Sequence, residues 1–203
     1  MKIVCVGRNY KAHAIELNNS IPTEPILFIK PDTAVHNLEQ PFYIPDFSNE
    51  IHYETEIIVK ISKQGKCISE KFAHKYYEEI GLGIDFTARD IQTRLKEKGL
   101  PWEIAKAFDG SAVIGTFFPK EVFDNQQNIN FSLLQDKQII QKGNSSEMIW
   151  TIDALIAYVS KFFTLRKGDL LFTGTPHGTG KILPNTLLEG FIEDKKAFSV
   201  QIK

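Results

Sequence analysis

At 203 residues, with 42% apolar and 24% charged side chains, the chain can bury a real core, and its composition excludes a disordered or fibrous class. A formal net charge of −1 supplies no broad field for nucleic acid or an anionic membrane surface, so partner choice must come from local chemistry. No stretch approaches the roughly 20 apolar residues that span a bilayer. The two cysteines, Cys5 and Cys67, stand far apart without a CxxC partner, which argues against a disulfide framework or a zinc ribbon and makes a reducing cytoplasm the expected setting.

The opening MKIVCVGRNYK alternates apolar with small or polar residues and soon meets charge. It reads as a first strand, not a signal peptide, so the mature protein is expected to begin here. Further strands are predicted at Ile26 to Ile29, Glu54 to Ile61, Tyr76 to Asp85, Phe131 to Leu134, Gln138 to Lys142, Leu170 to Thr173, Thr186 to Ile192 and Phe198 to Ile202. Gln135, Asp136 and Lys137 separate two alternating segments and read as a hairpin loop. One helix is predicted to open at Thr87, with Asp90 as a capping-box acid, and to end before Gly99; a second runs from about Ile152 to Phe163. Strands are not interleaved one for one with helices, and no repeat or linker interrupts the chain. The expected class is therefore α+β, a strand-rich mixed β-sandwich or roll with peripheral helices, in one domain over residues 1–203.

Several polar residues stand out against this frame. His13 and Glu16 are three apart, so a helical turn would let the carboxylate orient the imidazole as a general-base dyad; the same spacing also suits a plain surface pair. In HYETE, Glu54 and Glu56 fall on one face of a strand, where two like charges repel unless a cation or water compensates. They are either solvated surface glutamates or hard oxygen ligands for a divalent metal. A carboxylate-rich site favours Mg²⁺ or Mn²⁺ over a histidine-dependent zinc centre, which leaves His52 outside the ligand set. Asp85 ends a Gly-rich strand just before the predicted helix and is read as a third ligand, with Asp90 as the cap. Arg89 and Gln92 share a helix face that could present a carboxylate fork and an amide to one ligand, or could face solvent. Lys106 lies among apolar neighbours, where a buried ammonium needs an anion and a surface one would snorkel. GDLLFTGTPHGTG sets a strand ahead of a loop whose amides and Thr175 hydroxyl suit a carboxylate or phosphate; it lacks the Walker lysine pattern.

Taken in order, VGRNYKAHAIE, EPILFIKP, HYETEIIV, GIDFTARDIQ, GLPWEIAKAFDGS and GDLLFTGTPHGTG resemble the fumarylacetoacetate hydrolase family over nearly the whole chain, most closely its short acylpyruvase and oxaloacetate decarboxylase branch. The resemblance implies a mixed β-sandwich roll in a homodimer, with Mg²⁺ or Mn²⁺ held by Glu54, Glu56 and Asp85. It implies that His13 and Glu16 lie on a lid over substrate, that Lys106 joins the polar site, and that Arg89, Gln92 and Thr175 contact substrate. The reaction expected first is hydrolysis of a C–C bond in a 2,4-dioxo acid of the acylpyruvate type, through an enolate, with Glu16 orienting His13 to activate water. The same chemistry would serve oxaloacetate decarboxylation, keto–enol tautomerisation or isomerisation of a 2-hydroxyhepta-2,4-diene-1,7-dioate. A rival of another class is a non-catalytic protein that binds metal or oxo acid.

Overall fold

The computed structural model describes residues 1–16 and 20–203. Its first strand, β1 (Ile3–Gly7), leads into a short helix α1 (Lys11–Glu16) and then β2 (Ile26–Lys30), β3 (Ile51–Tyr53) and β4 (Thr55–Ile61). A single turn α2 (Glu70–Ala73) precedes β5 (Tyr77–Asp85) and the two-residue β6 (Thr87–Ala88), which runs directly into α3 (Arg89–Glu97) and α4 (Glu103–Lys106). Then come β7 (Ala112–Pro119), β8 (Asn130–Gln135), β9 (Gln138–Asn144), α5 (Ile152–Phe162), β10 (Leu170–Phe172), β11 (Gly180–Lys181), β12 (Leu187–Ile192) and β13 (Lys195–Gln201). Among the described residues no helix is long and apolar enough to cross a membrane.

These strands form a six-stranded sheet in the order β2-β1-β10-β4-β5-β7, a four-stranded sheet β13-β12-β8-β9 and a small sheet β11-β3-β6. Among the described residues β1 and β10 pair in parallel in the large sheet, and its other strand pairs are antiparallel. The expected mixed α+β sandwich is what the chain forms, because β12 and β13 pack across β5 and β7 and close a core of Ile57, Leu82, Ile84, Val113, Leu133, Leu188 and Val200. The near-continuous apolar run of β4 follows from its position inside that sheet, covered on both faces. Helix α5 is capped by the Thr151 hydroxyl, which accepts from Ala154 N at 3.2 Å, and packs against α2.

Three sequence expectations change. The predicted strand from Glu54 is two strands: Glu54 sits at the break between β3 and β4. The helix predicted from Thr87 begins at Arg89, because Thr87 and Ala88 pair with His52 and Ile51 as β6. Asp90 is no capping-box acid for Thr87; it accepts from Ser48 Oγ at 2.6 Å and Asn49 N at 3.0 Å, clamping the loop before β3 to the helix start. The strand β7, unpredicted, is the far edge of the large sheet. The expected hairpin forms, but its turn is Asp136 and Lys137 alone, with Gln135 closing β8 against Gln138; both turn residues have positive φ, 49° and 70°, as a two-residue type I′ turn requires.

Candidate active site

The large sheet brings the acids together by register. Thr55 pairs with Ile84 and Glu56 with Gly83, so the next residues outward are Glu54 and Asp85, and Asp85 N donates to Glu54 O at 2.8 Å. Each of Glu54, Glu56 and Asp85 offers a carboxylate oxygen, and the three oxygens lie within 4.8 Å of one another, all buried. This is a donor set of hard oxygens at a spacing suited to one small divalent cation. The chain also anchors it: Gly174 N donates to Glu56 Oε2 at 2.7 Å. Gly174 has φ +97°, and a Cβ there would come within 2.7 Å of Asn9 Cβ, so only glycine delivers that amide.

Cations surround the acids. Lys106, at the end of α4, donates to Glu54 Oε2 at 2.8 Å, Asp85 Oδ2 at 2.6 Å and Thr87 Oγ1 at 2.6 Å. Arg89 pairs with the other oxygen of Glu54 and donates to Gln92 Oε1 at 2.5 Å. Lys30, fully buried at the end of β2, stands 2.8 Å from Asp85 Oδ1, within ion-pair distance but off the hydrogen-bond direction. Its hydrogen bonds go to Lys106 O and to Ser111 Oγ, the latter at 2.9 Å, which ties α4 to the sheet.

This arrangement divides the carboxyls. Burial opposes charge on Glu54, yet the Lys106 ammonium and Arg89 guanidinium hold it well below the usual carboxylate range. Among the described residues no cation pairs with Glu56; burial, then repulsion by Asp85 and Glu54, pushes it well above that range. A buried carboxyl short of positive charge beside two others is the opening a divalent cation would fill. Burial would discharge Lys106, but Asp85 and Glu54 keep its pKa raised.

Above the acids is a narrow hollow whose lining includes His13, Glu54, Glu56, Asp85, Arg89, Gln92, Lys106 and Thr175. Eight of the nine residues singled out in the sequence therefore meet in one hollow, and the ninth, Glu16, holds His13 at Nδ1 with Oε2 at 3.1 Å. Glu16 Oε1 also accepts from Gly178 N at 2.9 Å, which fastens α1 over the loop after β10. Burial lowers the His13 pKa below its ordinary value, with Glu54 and Glu16 opposing, so the imidazole is neutral near pH 7. The Thr175 hydroxyl is already engaged: it donates to Thr55 O at 2.9 Å and accepts from Gln141 Nε2 at 2.9 Å.

Sequence reasoning missed Lys30, Arg8, Lys96 and Gln141. A lysine closing the apolar strand ILFIK was the one signal for Lys30, since such a position is buried in a central sheet and a buried ammonium must have an anion.

The family model described as fumarylacetoacetate (FAA) hydrolase C-terminal matches residues 2–203. The mitochondrial oxaloacetate tautomerase of Bos taurus is 40% identical over 190 residues, 94% of this chain and 86% of that protein. The mitochondrial oxaloacetate decarboxylase of Dictyostelium discoideum is 42% identical over 190 residues, 93% of this chain and 87% of its own length. A crystal structure of fumarylpyruvate hydrolase from Pseudomonas aeruginosa, in complex with Mn²⁺ and pyruvate, superposes with a TM-score of 0.92 at 36% identity, covering 100% of this chain and 89% of that one.

Proposed function

The chain belongs to the fumarylacetoacetate hydrolase family, and from that premise we propose that it is a divalent-metal enzyme that interconverts the keto and enol forms of oxaloacetate. The observation that carries this reading is one cavity combining an oxygen-rich cation cradle with a neutral histidine oriented by a carboxylate. Because Glu16 accepts from Nδ1–H, the lone pair on His13 Nε2 is left for the substrate. That nitrogen takes a proton from C3 of the ketone while charge moves onto the 2-oxo oxygen. The imidazolium then gives up that proton to the oxygen, directly or through water, which completes the enol and returns His13 to its neutral form; the reverse path restores the ketone.

Mg²⁺ or Mn²⁺ held by Glu54, Glu56 and Asp85 would supply Lewis acidity that favours the enolate over the ketone. Lys106, held at the floor by Glu54 and Asp85, would be the ammonium nearest a substrate carboxylate bound there. Arg89 and Gln92, already joined on one helix face, form the remaining polar wall. Thr175 acts by holding the β4 edge and Gln141 in place, so its role is positioning.

This reading replaces the acylpyruvate hydrolysis expected first from the sequence, because the relatives named for oxaloacetate favour proton transfer or decarboxylation at the same enolate. Hydrolytic C–C cleavage stands as the second reading, favoured by the likeness to a fumarylpyruvate hydrolase. The deciding experiment follows oxaloacetate tautomerisation by ultraviolet absorbance, carbon dioxide release, and acetylpyruvate cleavage in parallel with Mg²⁺. Tautomerisation should dominate, and His13→Ala should reduce it by about 10²- to 10⁴-fold. Acetylpyruvate cleavage without oxaloacetate turnover would overturn the proposal. We further propose a cytoplasmic homodimer, tested by sedimentation of the purified protein and by cell fractionation.

A further inference from the structure

Four cationic side chains line the cavity, and they fall into two groups. Arg89 and Lys106 are spent on Glu54 and Asp85. Arg8 and Lys96 have no carboxylate within ion-pair distance among the described residues, and Arg8 Nε is buried without a partner. Both are half-buried, so neither has its charge fully solvated. We propose that Lys96, with Arg8 beside it, receives the distal carboxylate of the substrate and so makes this a site for two-carboxylate 2-oxo acids in preference to monocarboxylates.

The proposal rests on the oxo-acid reading of the cavity floor, and the placement follows from α3. Arg89, Gln92 and Lys96 occupy positions i, i+3 and i+7, one stripe of the helix, and all three line the hollow. Seven residues of helix separate the α carbons of Arg89 and Lys96 by roughly 10 Å. Long helical side chains lean back toward the N-terminus, which returns the Lys96 ammonium toward the Gln92 turn. The stripe therefore runs from the acids at the floor outward to the mouth. At the mouth Lys96 Nζ lies 5.4 Å from the centroid of the Trp102 ring, a cation–π contact that steadies the ammonium without neutralising it.

Arg8 reaches the same hollow from directly after β1. Its φ of 61° lies in the left-handed region, and the backbone is held there by Asn9, which donates to Thr173 O at 2.8 Å and accepts from Trp150 N at 2.8 Å. An ordinary arginine in a strained, well-anchored conformation beside a cavity is a placed residue. Burial, together with the repulsion of Arg8 and Arg89, brings the Lys96 ammonium down to about 8, as befits a cation whose counter-ion comes with the ligand. A monocarboxylate spends its one anionic group at the floor and leaves this pair uncompensated. A diacid satisfies both ends.

The test uses two inert 2-hydroxy acids that differ at the distal carboxylate, D-malate and D-lactate, titrated calorimetrically into the Mg²⁺-loaded protein. The wild type should bind D-malate at least about tenfold more tightly, the scale of one charge-assisted hydrogen bond. Lys96→Met keeps a good helix former on an accessible flank, and it should bring the preference to within about threefold, whereas Lys96→Arg should retain it. A wild type without preference, or one that binds no D-malate, overturns the proposal, as does a Lys96→Met protein that still prefers the diacid. Failure of the tautomerase reading is separately visible: a diacid preference lost in Lys96→Met, in a protein that turns over no oxaloacetate, upholds the Lys96 assignment and rejects that reaction.

Discussion

The sheet of β8, β9, β12 and β13 carries its ion pairs outside: Lys196 meets Glu189 at 3.0 Å with the lysine 53% exposed. The cavity floor uses the same residue types in the opposite way, with Lys30 and Asp85 at 2.8 Å and at most 1% exposed. Water screens the first pair and can replace either partner. It reaches neither member of the second, so every charge there depends on the others, and removing one strands the rest. A fold gains little from such a floor over a well-packed apolar one, which is why the proposed function is placed there.

The contrast can be broken by substitution. Lys30→Met should lower unfolding free energy by about 3 kcal/mol or more in urea titrations, because Asp85 loses one of its two buried cations. A loss below about 1 kcal/mol would place the floor in the same class as the surface. A smaller effect is expected from His13. Its folded pKa is lowered by burial, so its contribution to stability is complete above the ordinary histidine value of about 6.5 and disappears as pH falls through the lowered value. Wild type should therefore lose more stability than His13→Gln between pH 7 and pH 5, and parallel pH curves would refute the buried neutral histidine. The smallest effect belongs to the surface: Glu189→Gln should change stability by no more than about 0.5 kcal/mol. A larger loss would mean that the exposed pair is not screened.

The same two regions differ in how far they could be read from sequence. Asp136 and Lys137 are a local signal, since adjacent alternating segments and a two-residue turn decide the hairpin within a few positions. The acids were half legible. Glu54 and Glu56 are two apart and Asp85 ends a strand, but only the β4–β5 register shows that the three meet, and Glu54 reaches its place from a strand break that spacing does not reveal. Lys30 left only the trace of a lysine closing an apolar strand, and its role was hidden because its partners are 55 and 81 residues away. The Asp90 cap failed for a related reason: pairing of Thr87 and Ala88 with β3 overrode the local capping pattern and delayed the helix to Arg89. Lys96 drew no notice because a lysine two turns along an amphipathic helix has the look of solvated surface until the cavity beside it is seen.

The proposed cation cradle of Glu54, Glu56 and Asp85 is short of positive charge at Glu56. Calorimetric titration of Mn²⁺ into the protein, in buffers of different ionisation enthalpy near neutral pH, tests it without reference to turnover. One tight site per chain is expected, with a loss of at least about a hundredfold in affinity in Glu56→Gln, and binding should release protons to the extent that the raised pKa of Glu56 favours its neutral form. Equal Mn²⁺ affinity in wild type and Glu56→Gln, with no proton released, would contradict it.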